Sequence, residues 1–271
     1  MLNDIQRCMR YVFKNISMEL KTGLGMWVVV WLLALPKVVW SGEVYVAVAS
    51  NFLNPLKEIA TRYKQDTGDR LILVSGSTGK LYAQVRHGAP FDVLLAADSM
   101  RPALLESDGL GVIGTRFTYA VGALVLWSLE MGRVRGKESL VKMNKGKLAI
   151  ANPKTAPYGR AAQQVLKSLG LWKKLQPSLV RGENIAQTLQ FVATGNATLG
   201  FVAKSQVEDP RFKFKGSRWE VPVDMHEPIL QQAILLNAGL ANSSAKQFLK
   251  YLHGPVAKKI MRSYGFDFLE E

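Results

Sequence analysis

The chain has 271 residues and one Cys, and its 35 Lys+Arg against 21 Asp+Glu give a formal net charge of +14. A hydrophobic content of 48% excludes collagen-like and disordered classes and allows one large domain or two lobes. A single Cys excludes an intramolecular disulfide framework and any Cys-rich zinc or iron–sulfur site.

The N-terminus has the pattern of a secretory signal. A basic segment precedes the uncharged apolar run Leu24–Leu35, which ends at Pro36 and Lys37. That run is about a dozen residues long, whereas a membrane-spanning helix needs about 20. We therefore expect residues 1–41 to be a signal peptide cleaved near Ser41, with an uncleaved anchor as the alternative.

Removal of residues 1–41 takes away five basic residues, two acidic residues and Cys8. The remaining chain carries 30 basic and 19 acidic residues, a net charge of +11, and no thiol, which suits an oxidising compartment. Its basic residues are scattered and form no stripe interleaved with aromatic residues. We interpret the charge as favouring solubility and the steering of an anion, and we expect no nucleic-acid partner.

From residue 43 the hydrophobic pattern predicts strands that alternate with helices. Glu43–Ser50 is apolar on both faces, as in a buried parallel strand. The stretch Phe117–Ser128 is long enough to pass through two lobes. Further predicted strands are Arg70–Ser75 and Asp92–Ala97, and the predicted helices contain Leu53–Tyr63, Leu81–Val85 and Met100–Leu105.

A second series of strands and helices begins at residue 147. Repeated units of an apolar strand and a helix predict two α/β layers with parallel sheets. The predicted strands are Lys147–Ala151, Thr198–Ala203, Trp219–Val223 and Ile229–Leu236, and the helices contain Ala161–Leu169, Ile185–Val192, Ala245–Leu252 and Val256–Tyr264.

Four predicted strand-to-helix turns combine hydroxyl, amide or glycine residues with the start of a helix. Ligands of open α/β sheets bind beyond the carboxyl ends of the strands. A helix N-terminus there offers unpaired N–H groups to an anion, although ordinary capping explains each turn taken alone. The turns are Ser50-Asn51-Phe52, Gly76-Ser77-Thr78-Gly79, Pro157-Tyr158-Gly159 and Glu183-Asn184-Ile185.

Nucleotide-binding and catalytic interpretations of these residues are weaker. The segment Ser75–Lys80 (SGSTGK) lacks the Gly at 74 and the Ser or Thr at 81 that a P-loop requires. A triad of Ser77, His87 and Asp92 or Asp98 fails because about two helical turns, roughly 13 Å, would separate Ser77 from His87. We expect a binding protein without a cofactor. The alternative is a secreted enzyme that acts on phosphate esters through a hydroxyl of this segment.

Five segments, in their order and spacing, resemble the molybdate-binding, periplasmic solute-binding component of ABC transporters, the ModA type. The resemblance runs from Val44 to Phe266. It implies an α/β, two-lobe periplasmic-binding-protein fold of type II-like topology, with mostly parallel sheets joined by a two-strand hinge. The segments are VAVASNFLNPLKEIA (46–60), SGSTGKLYAQVRHGAPFDVLLAAD (75–98), NPKTAPYGRAAQQVLKSLG (152–170), ENIAQTLQFVATGNATLGFV (183–202) and YGF (264–266).

The resemblance also implies which residues hold the oxyanion. Ser50 would bind it through its hydroxyl and its N–H, beside Asn51, and Thr78 would take the place of a common Ser. Tyr158 and Ile185 would contribute mainly backbone N–H groups. Secondary candidates are Ser77 and Gly159, and molybdenum would enter only as the bound oxyanion, without direct protein ligands.

One position departs from part of the family. Some members place a Tyr hydroxyl on the ligand where this sequence has Ala203, whose side chain cannot donate. Tyr158 occupies a position where those members have Ala, so we expect its hydroxyl to be the replacement.

Two turns belong to the first lobe and two to the second, so a ligand between them would favour a closed state about a hinge. The predicted ligand is molybdate or tungstate, with sulfate or another tetrahedral oxyanion as the alternative. We expect a periplasmic monomer that delivers its ligand to an ABC-transporter permease. The predicted boundaries are 1–41 for the signal peptide, 42–122 and 222–271 for lobe 1, and 123–221 for lobe 2, with hinge crossings at Val121-Gly122 and Val221-Pro222.

Overall fold

The computed structural model describes residues 41–269, which form a compact unit. The predicted signal peptide lies outside the described residues except for Ser41. Within the described part of the chain, no helix is both long enough and apolar enough to cross a membrane.

Strands and helices alternate through most of the described chain. The strands are β1 Glu43–Ala49, β2 Arg70–Gly76, β3 Val93–Leu95, β4 Phe117–Gly122, β5 Leu124–Ser128, β6 Leu148–Ala151, β7 Leu179–Gly182, β8 Leu199–Ala203, β9 Ser217–Glu220 and β10 Ile229–Leu235. The α-helices are α1 Leu53–Thr67, α2 Thr78–Arg86, α3 Met100–Ser107, α4 Glu138–Val141, α5 Pro157–Ser168, α6 Trp172–Leu175, α7 Ile185–Ala193, α8 Lys204–Val207, α9 Ser243–His253 and α10 Pro255–Ser263.

The strands form two five-stranded sheets, with orders β2-β1-β3-β10-β4 and β7-β6-β8-β5-β9. In the first sheet β1 is parallel to β2 and β3, whereas β10 is antiparallel to β3 and β4. In the second sheet β6 is parallel to β7 and β8, whereas β5 is antiparallel to β8 and β9. The two-lobe α/β fold is as expected, but the sheets are mixed rather than mostly parallel.

The antiparallel pairs arise where the chain passes between the sheets. The predicted stretch Phe117–Ser128 is two strands, and Ala123 alone separates β4 in the first sheet from β5 in the second. The chain returns between β9 and β10. These four strands connect sheets rather than belonging to β-α-β units, so no crossover helix requires them to be parallel. Lobe 1 denotes residues 42–122 and 222–271, and lobe 2 denotes residues 123–221, as predicted from the sequence.

Each sheet is apolar on both faces because helices cover both. On β1, Val44, Val46 and Val48 pack in one core cluster with Phe52 and the C-terminal helices, whereas Ala47 faces a second cluster. The same alternation divides the second sheet between two clusters. This double burial explains the nearly continuous apolar runs of the sequence.

Candidate functional site

The four predicted turns meet at one small cavity where the two lobes face each other. All five predicted ligand residues line it, and so does Ser77, but Gly159 does not. The lining residues are Ala49, Ser50, Asn51, Gly76, Ser77, Thr78, Ala97, Ala156, Pro157, Tyr158 and Ile185.

The first turn follows β1 and contributes a hydroxyl but not the expected backbone donor. The N–H of Ser50 donates to the carbonyl of Gly76 at 3.0 Å, so the prediction that this N–H binds an anion was wrong. The side-chain hydroxyl of Ser50 has no such partner. Asn51 is 3% exposed and donates through Nδ2 to Gln231 Oε1 at 2.8 Å, while no group within residues 41–269 forms a hydrogen bond with its Oδ1.

The second turn places two buried hydroxyls at the start of α2. Thr78 Oγ1 accepts a hydrogen bond from the N–H of Ala97 at 3.0 Å, which leaves the hydroxyl hydrogen of Thr78 for a ligand. Ser77 is 3% exposed, and its Oγ has no hydrogen-bond partner among the described residues. A buried hydroxyl without a partner is costly unless a ligand satisfies it. Ser77 is therefore a stronger ligand candidate than the sequence indicated.

Lobe 2 contributes the starts of two helices. Helix α5 begins at Pro157 and α7 at Ile185, so the N–H groups of Tyr158 and Ile185 lie in first turns, where no helical carbonyl is available to them. Asn184 caps α7 by accepting from the N–H of Gln187 at 3.0 Å. That cap leaves the N–H of Ile185 for the cavity.

The Tyr158 hydroxyl points to a protein partner. It accepts a hydrogen bond from Gln231 Nε2 at 3.3 Å, and a Cβ added at Gly122 would collide with it. Burial raises the pKa of Tyr158 well above its ordinary value, so the hydroxyl stays protonated. We assign the contribution of Tyr158 to the cavity to its backbone rather than to the hydroxyl proposed from the sequence.

Gly159 serves helix packing rather than the cavity. A Cβ at this position would collide with the carbonyl oxygen of Ala151 at the end of β6, and it would lie 2.9 Å from the carbonyl carbon of Asn152. The glycine thus allows α5 to start directly against the end of the strand.

The cavity lining contains no charged side chain. Lys80, just beyond the second turn, forms an ion pair with Glu183 of lobe 2, and both side chains are more than half exposed. Within residues 41–269, no cluster of His, Cys, Asp or Glu could hold a metal ion. The arrangement is a set of neutral hydrogen-bond donors rather than a metal site or a basic pocket.

Hydrogen bonds join the lobes around the cavity. The N–H of Gly79 donates to the carbonyl of Thr155 at 2.8 Å, and Ser205 Oγ donates to the carbonyl of Asn51 at 3.0 Å. Asn54 Nδ2 donates to Asp209 at 2.8 Å. The structure is thus closed over the cavity. The sequence pattern did not predict these partners, since nothing local to Thr155 or Ser205 indicates a contact with lobe 1.

The residues considered for catalysis do not assemble into a triad. His87 follows the last residue of α2, whereas Ser77 precedes its first residue, so the two lie at opposite ends of the helix. Asp92 accepts from the N–H of Tyr45 at 2.7 Å, and Asp98 pairs with Arg101. These contacts leave no assembled acid–base group at the cavity.

Comparison with known proteins places the chain in a family. Residues 44–267 match the family of bacterial extracellular solute-binding proteins. The chain is 51% identical over 227 residues to the molybdate-binding protein ModA of Azotobacter vinelandii, covering 83% of this chain and 90% of that protein. The chain therefore belongs to the ModA family. A second ModA, from Rhodobacter capsulatus, is 46% identical over 86% of this chain and 91% of its own length.

The fold of a solved ModA-family structure agrees with this assignment. The periplasmic molybdate-binding protein of Azotobacter vinelandii superposes with a TM-score of 0.81 and 38% identity, over 84% of this chain and all of that chain. Ala203 ends β8, is fully buried and does not line the cavity. The Ala203 N–H donates to Gln206 Oε1 at 3.0 Å.

Proposed function

We propose that this ModA-family protein is a periplasmic receptor that binds molybdate or tungstate between its lobes and delivers it to an ABC importer. One observation carries the proposal: helix starts from both lobes and hydroxyls of lobe 1 meet in an uncharged cavity where Ser77 Oγ is buried without a partner among the described residues. The proposed ligand residues are Ser50, Asn51, Thr78, Tyr158 and Ile185, with Ser77 added.

The absence of a carboxylate from the cavity lining supports a fully ionised anion. Molybdate and tungstate are tetrahedral dianions without hydrogens near neutral pH, whereas phosphate is partly protonated and presents a donor. Apart from Asn51 Oδ1, the polar groups assigned to the ligand are donors, so a protonated oxygen has few acceptors to meet, which disfavours phosphate. Sulfate differs from molybdate in size, so its rejection depends on the fit of the closed cavity.

Neutral donors are sufficient to hold such a dianion. A hydrogen bond to a charged group contributes about 1.5–3 kcal/mol. Six or seven of them, after the costs of ordering and desolvation, correspond to roughly micromolar to nanomolar dissociation constants. The first turns of α2, α5 and α7 together with the hydroxyls of Ser50, Ser77 and Thr78 offer a set of this size.

Transport would follow from closure. Binding at donors of both lobes favours the closed state, with bending at Val121-Gly122 and Val221-Pro222 between lobe 1 and lobe 2. The closed monomer would then dock on the permease, and opening there would release the anion. We further propose export through cleavage of residues 1–41, action as a binding protein without enzymatic turnover, and no nucleic-acid partner.

The test is isothermal titration of residues 42–271 with molybdate, tungstate, sulfate and phosphate. This segment holds the compact unit, and the aligned Azotobacter chain is covered in full. Sub-micromolar binding of molybdate or tungstate, with sulfate at least a hundredfold weaker, supports the proposal. Tight sulfate binding alone would keep the mechanism and change the ligand, and no binding of any of the four would refute an oxyanion receptor.

A further inference from the structure

Behind the cavity, four buried side chains form a hydrogen-bond network that connects the lobes. Its centre is Gln231 on β10, which is fully buried. Gln231 Oε1 accepts from Asn51 Nδ2 at 2.8 Å and from the Tyr119 hydroxyl at 3.0 Å, and Gln231 Nε2 donates to the Tyr158 hydroxyl at 3.3 Å. Three members belong to lobe 1, and Tyr158 belongs to lobe 2.

We infer that Gln231 is a positioning residue, which orients the Asn51 amide toward the bound anion and couples that orientation to closure of the lobes through Tyr158. The inference rests on the proposed function for the identity of the anion. Gln231 touches no ligand in this scheme, and it acts through Asn51 and Tyr158.

The first support is the state of the Asn51 amide. Asn51 lines the cavity, and its Nδ2 is bonded to Gln231. Oδ1 is therefore the amide atom that remains for a ligand. Oδ1 is buried and has no partner. An oxygen facing an oxyanion is repulsive, whereas an amide N–H₂ there would donate a charge-assisted hydrogen bond.

The same four side chains can also form a hydrogen-bonded network with the Asn51 amide rotated by 180°, so that its oxygen and nitrogen exchange places. If the amides of Asn51 and Gln231 both turn over, Gln231 Nε2 donates to Asn51 Oδ1 and Asn51 Nδ2 becomes free for the anion. The Tyr158 hydroxyl then donates to Gln231 Oε1. Tyr119 keeps an acceptor, because the carbonyl of Ala96 already lies 3.3 Å from its hydroxyl.

Both tyrosines are suited to this reversal because they remain protonated. Burial raises the pKa of Tyr119 and of Tyr158 well above the ordinary value. Each hydroxyl can therefore accept in one arrangement and donate in the other. Since Tyr158 reaches Gln231 only when the lobes are together, the reversed network ties the anion contact of Asn51 to closure.

The neighbouring residue provides a matched control. Gln232 lies on the same strand and is 8% exposed, but a β-bulge between the two residues turns it to other partners. Its Oε1 accepts from Arg116 and its Nε2 donates to Thr118, both within lobe 1. Replacement of Gln232 removes an equivalent side chain without touching the cavity network.

The experiment compares Gln231→Met with Gln232→Met in residues 42–271, with molybdate as the probe. We expect Gln231→Met to raise the dissociation constant at least tenfold, mainly through a faster dissociation rate, and Gln232→Met to stay within twofold of the parent. In a double-mutant cycle, the variant that carries both Tyr158→Phe and Gln231→Met should lose less binding free energy than the two single variants lose in sum. Equal binding by the two methionine variants would overturn the inference.

A second measurement needs no ligand. Residues 42–271 contain no Cys, so spin labels at Lys64→Cys and Lys173→Cys, both exposed, report the distance between the lobes. Gln231→Met should shift the ligand-free distribution toward longer distances and Gln232→Met should not. If the parent protein binds no molybdate, the proposed function fails, but the comparison of distances still tests whether Gln231 is coupled to closure. Identical distance distributions for the parent and Gln231→Met would overturn that coupling.

Discussion

Gly79 lies against the backbone of lobe 2, so a larger residue at this position tests whether closure of the lobes is needed for binding. The Gly79 N–H donates to the carbonyl of Thr155 at 2.8 Å. An added Cβ would lie 2.9 Å from that oxygen and 3.0 Å from both Thr155 Cα and Arg101 Nη2. Ordinary contacts of a Cβ atom begin at 3.4 Å. Gly79→Ala would therefore hold the lobes about half an ångström apart at this point.

The penalty against Thr155 falls on the closed state alone, because Thr155 belongs to lobe 2. Arg101 belongs to lobe 1, and the contact with it is with the far end of its side chain, which can move aside. Overpacking against the backbone costs about 1–3 kcal/mol, and a weakened hydrogen bond adds roughly 0.5–1.5 kcal/mol. Together these predict a molybdate dissociation constant raised by roughly 10- to 1,000-fold. The ligand-free protein should not lose stability, because alanine is favoured over glycine by up to about 1 kcal/mol in a helix.

Isothermal titration would measure the affinity, and thermal unfolding without ligand would measure the stability. Gln84→Ala is the matched control, since it places alanine at an exposed position of the same helix. Affinity of Gly79→Ala within twofold of the parent would refute the reasoning. A loss of affinity accompanied by an equal loss of ligand-free stability would show a folding defect and would refute it as well.

Three further outcomes are expected. In titration, Ser77→Ala should weaken molybdate binding by roughly 10- to 150-fold, because it removes one hydrogen bond to an ion, and it should leave the unfolding of the ligand-free protein unchanged. Binding equal to that of the parent would show that Ser77 is not a ligand residue. Lys80→Ala should change affinity by less than about fivefold, and less still at high salt, because its pair with Glu183 is exposed; a larger, salt-independent loss would contradict this. Burial raises the pKa of Asp209, but hydrogen bonds, chiefly from Arg211, outweigh burial and lower that pKa. Asp209 therefore stabilises the fold above its ordinary pKa near 4, and this contribution is lost at lower pH. In denaturant unfolding at pH 7 and pH 3, Asp209→Asn should lose less unfolding free energy on acidification than the parent does.

Local sequence patterns were sufficient to predict most elements and the four turns that meet at the cavity, whereas the roles of individual ligand residues came from the family resemblance and stay predictions. The apolar run of β1, and the glycines that follow α1 and α5, depend on interactions within a few residues, so periodicity and turn chemistry indicate them. The turns at Ser50, Thr78, Tyr158 and Ile185 could be placed together because strand ends of an α/β layer share one edge.

Short elements and strand directions were less accessible. The strand Leu179–Gly182 was not predicted, since four residues carry too little periodicity to stand out. The mixed direction of the sheets depends on where Phe117–Ser128 divides between them. The division at Ala123 depends on the strands with which β4 and β5 pair, and those strands are distant in sequence.

By itself, the sequence determined the alternation of elements and the donor chemistry of the turns, because both arise from neighbouring residues. Only the tertiary structure decided how each donor is used. It shows the Ser50 N–H bonded to Gly76, the Tyr158 hydroxyl bonded to Gln231 and the Ser77 hydroxyl left unpaired. Whether a hydrogen-bond donor is free depends on acceptors that folding brings from distant parts of the chain, so no local pattern can reveal it.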